Sequence, residues 1–287
     1  MADTHAPTSR LALWFLLIPT SMTLGAADLP NGPSNHAIAD ALRSKGAKDP
    51  EVISRFDLTK EFGTASTWTL AVVRDNVPED PDWEDHGPIY VCFLKERSPA
   101  CLDGAGSPAP TDVNPDRIPF DLLDVRIVQA SSDGQNPRLL VKTCTEPSGD
   151  GDCRIDTTLY AYDKATDRFD SVFHNATAHN QNQLTRFIEN GPIRGDVIAT
   201  YPTTDAPYTY WVEVYRQRGG REYAQILRYR GKTEYGDGNP LAVVDSEMPE
   251  TLRRLDLWKD GEPLPVPART PAGCTTLFMR KGVEWCE

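Results

Sequence analysis

From residue 68 onward, apolar and polar residues alternate in short runs broken by Gly, Pro, Asn and Asp, a pattern that predicts strands rather than helices. Strands are expected at 68–74, 89–95, 122–130, 138–144, 157–163 and 168–174, and again at 196–201, 208–216, 222–230, 241–245, 275–279 and 283–286. Helical spacing is sparse. Ser34 or Asn35 can cap a short helix that carries Ala37, Ile38, Ala41 and Leu42 and stops at Gly46. A second turn is expected from Pro50, with Val52, Ile53 and Phe56, and 249–257 fits a turn or two more. The expected fold class is therefore mainly β, built of antiparallel hairpins or a meander, sandwich or propeller-like, behind a short helical N-terminal segment.

Two hairpins can be read face by face. With Lys164 to Asp167 as the turn, Tyr160, Tyr162, Phe169 and Phe173 share one side, expected to be core, and Asp163, Arg168 and Asp170 the other, expected to be solvated. This stretch, LYAYDKATDRFDSVF, resembles the outer strands of β-propeller blades, but alternating aromatics about a polar turn are too common to name a family. In the second hairpin Gly219-Gly220 suits a two-residue turn, because glycine accepts the positive φ such turns require. Tyr210, Val212 and Val214 then oppose Tyr229, Leu227 and Gln225 as a core row. The reverse side holds Trp211 opposite Arg228, Glu213 opposite Ile226 and Tyr215 opposite Ala224. Trp211, Glu213, Tyr215 and Arg228 form the candidate binding surface, since rigid aromatics beside directional charges suit protein or sugar partners. Packing beneath another segment is the competing reading.

The chain begins with a polar stretch ending at Arg10, then an apolar run over 11–24 and the small residues Gly25-Ala26-Ala27. That is the layout of a secretory signal peptide, too short and too interrupted by Pro19 for a spanning helix. Cleavage after Ala27 leaves a mature chain of about 260 residues. The six cysteines fall into three local pairs, Cys92/Cys101, Cys144/Cys153 and Cys274/Cys286, each spanning a turn-rich segment, the arrangement that staples adjacent strand ends. Local disulfides are expected, although six cysteines allow other connectivities. Along the chain the expected divisions are 1–27 signal peptide, 28–66 helical or irregular lead, 67–262 antiparallel β body, and 263–287 Pro-rich connection and disulfide-closed terminal hairpin.

Charge narrows the partners. A net charge of −12 argues against nucleic acid and anionic lipid. Metal chemistry finds little to work with: there is no C-x-x-C, His174 and His179 are poorly spaced, His36 and His86 are isolated, and the Asp150/Asp152/Asp156 loop lacks the further acids that calcium needs. Serine-nucleophile signatures are missing. No cofactor and no metal are expected. Among 42 acidic residues some pair will always sit close enough for glycosidase chemistry, and Asp245 with Glu247 is the first pair to inspect. The reading is a periplasmic or extracellular, disulfide-stabilised β protein, a non-catalytic binding or envelope-associated module with an unknown protein or glycan partner and no stable membrane insertion after cleavage. A secreted carboxylate-dependent hydrolase acting on polysaccharide is the alternative. The exported protein is expected to start at Asp28, which intact-mass measurement and N-terminal sequencing of the secreted chain would check.

Overall fold

The computed structural model describes residues 29, 32–77, 87–102, 119–147, 153–178, 183–218 and 221–287. Among these residues thirteen strands form four antiparallel sheets, and within each the spatial order is the chain order. The first sheet holds β1 (Pro50–Asp57), β2 (Trp68–Asp75) and β3 (Ile89–Lys95). The second holds β4 (Asp121–Gln129), β5 (Pro137–Pro147), β6 (Cys153–Asp163) and β7 (Arg168–Ala178). The third holds β8 (Leu184–Phe187), β9 (Val197–Pro202), β10 (Thr209–Gln217) and β11 (Tyr223–Glu234). A terminal hairpin pairs β12 (Leu277–Arg280) with β13 (Val283–Cys286). Among the described residues there are four short helices: α1 (Asn35–Arg43), α2 (Thr59–Phe62), α3 (Val243–Ser246) and α4 (Met248–Arg254).

The three large meanders stack face to face in chain order. Trp68, Leu70, Val91 and Phe93 of the first sheet interlock with Leu139, Val141, Tyr160 and Phe169 of the second. Phe169 is the hub of that layer, its ring 4.9 Å from Phe62, 5.4 Å from Trp68 and 5.1 Å from Phe93, spacings that favour edge and tilted contacts. On its other face the second sheet sends Leu140, Leu159, Val172 and Phe173 against Phe187 and Val197 of the third. Helices cover the two ends. Ile38 and Leu42 of α1 lie on Ala71, Val73 and Leu94 of the first sheet, and Val244, Met248 and Leu252 of α3 and α4 lie on Ile198, Val212, Val214 and Tyr229 of the third. Ser34 starts α1 by accepting a hydrogen bond from the Ala37 N–H at 3.2 Å.

Carboxylates fasten the layers together. Asp167, at φ +47° in the β6–β7 turn, accepts hydrogen bonds from Trp68 Nε1 at 3.0 Å, Tyr162 Oη at 2.6 Å and Ser66 Oγ at 2.6 Å, and pairs with Lys95 at 2.7 Å. The Lys95 ammonium and these donors hold its carboxyl far below the usual range. Between the second and third sheets Arg221 joins Asp163 and Asp170, and its hydrogen bond pulls Asp163 down to about 2. At the α1 corner, buried Asp75 accepts from the Lys48 and Asp49 N–H groups, both at 2.7 Å.

All three local disulfides are formed. Cys92–Cys101, Cys144–Cys153 and Cys274–Cys286 have Cα separations of 4.7, 5.7 and 5.6 Å. Cys144–Cys153 links neighbouring strands β5 and β6, as the stapling of strand ends predicts, and Cys274–Cys286 ties the segment just before β12 to the end of β13 and so closes the terminal hairpin. Cys92–Cys101 corrects that expectation. Cys92 lies in the middle of β3 and is fully buried, whereas Cys101 belongs to no strand and is only half-buried. The bridge therefore pins the segment after β3 back onto its own strand, beside the Leu102 N–H that donates to the Phe93 carbonyl at 3.2 Å. Cys101 packs there at the edge of the α1 layer, so its role is to cover that layer and not to join two strands.

Several other expectations change. The segment from Pro50 is a strand, not a helical turn: β1 pairs with β2 through an irregularity between Val52 and Ser54, which breaks the alternation that would have marked it. Residues 241–245 lead into α3 instead of forming a strand, an ambiguity inherent in a short apolar run buried on all sides. Both faces of the second sheet carry core, and of the three residues expected on a solvated side Arg168 is exposed, whereas Asp170 is half-buried and Asp163 buried. An irregularity between Leu159 and Tyr160 sets Phe173 opposite Leu159, so Phe173 points away from Tyr160 and Phe169 into the next layer. The Lys164 to Asp167 turn is present, with Asp163 opposite Arg168.

Asp167→Ala is expected to cost about 3 kcal/mol, because Trp68 Nε1 and Lys95 lose their shared acceptor, and would appear in urea titration as a lower midpoint at unchanged slope. A carboxyl with a depressed folded-state pKa stabilises above its unfolded value near 4, and that contribution is lost as pH falls toward the folded value. The melting temperature is therefore expected to drop between about pH 4 and pH 2, and the drop should be smaller in Asp163→Asn, as melting curves across that range would show.

Candidate functional site

The predicted surface lies on the side of the third sheet that faces the second. Its register differs from the expected one. Trp211 stands opposite Arg230, Glu213 opposite Arg228, and Tyr215 opposite Gln225 after an irregularity between Val214 and Tyr215. Gly219-Gly220 lies outside the described residues; the last paired positions on either side of it are Gln217 and Tyr223. The slip on the Trp211 side is two residues, and an even slip keeps every side chain on its face. Val212 and Val214, opposite Tyr229 and Leu227, accordingly still point to the core beneath α4.

Four predicted residues and one unexpected neighbour make a single network. Glu213, with a side chain 9% exposed, accepts hydrogen bonds from the hydroxyls of Tyr201 and Tyr215 and pairs with Arg228 Nε at 3.2 Å. The Arg228 guanidinium stacks over the Trp211 ring at 4.3 Å from its centroid. Burial, followed by the Glu213 carboxylate, pushes the Tyr201 hydroxyl up to about 12, and the same causes raise Tyr215 further. Both phenols are therefore neutral donors at neutral pH. Tyr215 is also a packing residue, its ring 5.3 Å from Phe173 of the second sheet. The surface is thus graded, from Tyr215 inside the stack, through clasped Glu213, to half-buried Trp211 and the 48% exposed Arg228 side chain at the open edge.

Sequence patterns do not reveal Tyr201, because they cannot tell which strand lies on the far side of β10; β9 does, setting Tyr201 beside Trp211. Arg230 was also missed. It holds the 203–207 loop through the carbonyl of Asp205 at 2.6 Å and Thr209 Oγ1 at 3.1 Å. At the same end of the hairpin Tyr208 and Tyr235 are backbone-paired at 2.8 Å and are 60% and 52% exposed.

The other candidates resolve differently. Asp245 and Glu247 are buried and fully employed. Asp245 takes a bidentate pair from Arg186, at 2.5 and 2.8 Å, and the Arg269 N–H at 2.9 Å. Glu247 accepts from the Lys232 and Thr233 N–H groups, each at 2.6 Å, and from Thr233 Oγ1 at 2.8 Å. They hold α3 and α4 to the third sheet rather than facing a cleft. His174 sits 3.1 Å from Asp156, and exposed His36 sits 3.2 Å from Asp40. His86, His179, Asp150 and Asp152 lie outside the described residues, among which no cluster of three metal-ligating side chains occurs. No described helix is long and apolar enough to cross a membrane. No family model, curated protein or solved structure matches the chain.

Glu213→Gln removes the charge that helps keep the tyrosines protonated but leaves their burial in place. Tyr201 is expected to titrate below 12 and still above the ordinary value near 10, which ultraviolet difference titration would register.

Proposed function

We propose that this protein is a periplasmic or extracellular binding module that presents the Trp211–Arg228 stack to a glycan. Three disulfides on a mainly β framework suit an oxidising compartment. The observation that carries the reading is the stack itself, a flat aromatic ring and a guanidinium held 4.3 Å apart at the exposed end of a strand pair and fixed from below by Glu213. An indole face covers the C–H face of a sugar ring, and the guanidinium edge donates to hydroxyl or carboxylate oxygens. Tyr208 and Tyr235 extend the aromatic area at the same end of the hairpin. Because Trp211 and Arg228 sit on strands, stacked on each other and with Arg228 held by Glu213, little of their side-chain entropy remains to be lost on binding.

The hydrolase alternative draws no support from Asp245 and Glu247, whose oxygens are occupied inside the fold. A protein partner would use the same anchors, and glycan-array screening beside pull-down with the purified mature chain separates the two. Trp211→Ala is expected to weaken binding about thirtyfold, equivalent to about 2 kcal/mol, while thermal unfolding stays near that of the wild type. A loss of stability of about 3–5 kcal/mol without a binding phenotype would make Trp211 a packing residue instead.

A further inference from the structure

A second feature lies at the other end of β10, about 20 Å from Trp211 at the rise of an extended strand. There the turns of all three large meanders meet around a groove of about 650 Å³, lined by Lys60 of α2, Asn136 and Arg138 at the β4–β5 turn, Lys164 of the β6–β7 turn, and Arg221. A neighbouring cleft of about 660 Å³ continues past Arg221 and adds Arg168 and Arg218. Cations outnumber acids along this pair of openings: Lys60, Lys164, Arg138, Arg168, Arg218 and Arg221 stand against Glu61, Asp163, Asp170 and Glu222. On a chain of net charge −12 that is a local reversal of sign.

Arg138 makes the reversal more than a surface accident. It is 4% exposed, yet among the described residues its guanidinium meets only neutral groups, the carbonyl of Pro137 and Gln217 Oε1, both at 2.8 Å, with the Tyr223 hydroxyl beside them, and its Nε has no acceptor. Arg221 beside it is matched by Asp163 and Asp170, and buried Asp245 has its own bidentate arginine. A guanidinium withdrawn from water without a counter-charge is costly, and it stays protonated because arginine does not titrate in the accessible range. Burial above all, and Arg221 beside it, disfavour the charge at this position, and the Tyr223 hydroxyl offsets them in part.

We propose that the groove is an oxyanion-binding site, in which a multiply charged carboxylate or phosphate group supplies the counter-charge that Arg138 lacks, with Lys60 and Lys164 at the mouth. Arginine suits such a ligand because its planar fork matches carboxylate and phosphate oxygens. The volume falls within the range of pockets that take small molecules, so a free polyanion or a single acidic sugar unit fits better than a polymer lying flat. The site does not depend on the Trp211 surface.

Calorimetric titration of the disulfide-intact mature chain at low ionic strength, with inorganic phosphate in one arm and citrate in the other, tests the proposal. Saturable binding of at least one anion, weakened by added salt, is expected, and the preferred arm names the ligand class. The double variant Lys60→Glu/Lys164→Glu changes only exposed side chains and should weaken binding at least about tenfold with unfolding unaltered. Arg138→Gln should abolish binding, Arg138→Lys should retain part of it, and Trp211→Ala should leave it unchanged. If Arg138→Gln does not fold, the lysine pair decides. Failure of both anions to bind saturably, or wild-type affinity in the lysine pair, would overturn the site.

Discussion

Burial of the middle meander on both faces is the constraint from which the rest of the architecture follows. A sheet with one wet face can alternate apolar and polar residues, but β5, β6 and β7 supply side chains of both parities to two different layers, Tyr160 and Phe169 one way, Leu159 and Phe173 the other. Each added meander then exposes a new apolar face. The stack has to end in something that is apolar on one side only, and helices meet that need: α1 closes one end with Ile38 and Leu42, and α3 with α4 closes the other with Val244, Met248 and Leu252. The chain-order pairing within every sheet keeps the strand contacts local, so the layers assemble from consecutive hairpins without crossing connections.

Apolar contacts between sheets are non-directional, and carboxylates supply the missing geometry. Asp75 fixes the α1 corner, Asp167 joins the first meander to the second, Asp163 and Asp170 join the second to the third through Arg221, and Asp245 and Glu247 tie the third to its helical cover. A carboxylate can accept several hydrogen bonds at once, so one acid in a turn can orient residues from two layers. The acids that first invite a catalytic reading are thereby structural. The Trp211–Arg228 edge and the groove beside Arg138 lie instead at the margins of the stack.

Much of the candidate surface was legible because strand periodicity is two. A slip of two residues in the β10–β11 register changed the partners of Trp211 and Glu213 without moving either to the other face. The same rule explains the failure at Phe173, where a single irregularity after Leu159 reversed the face of everything beyond it. Tyr201, which shares the Glu213 carboxylate, belongs to a strand whose position beside β10 is a fact of topology and leaves no trace in local pattern.

Alternation, turn residues and cysteine spacing determine the strand content, the hairpin at Lys164 to Asp167 and the three local disulfides, since each depends on contacts between residues near in the chain. Spacing alone does not say what a bridge joins: Cys144–Cys153 and Cys92–Cys101 have the same separation, yet one links two strands and the other folds a loop onto the strand before it. What covers each sheet, and hence which polar residues are sealed inside as clamps and which reach solvent, is decided by contacts between meanders. Asp245 and Arg138 show the difference. Neither residue type nor neighbouring sequence distinguishes the acid that receives Arg186 from an exposed one, or the arginine buried without a carboxylate from a solvated one, because burial and partner are both set by residues far away along the chain.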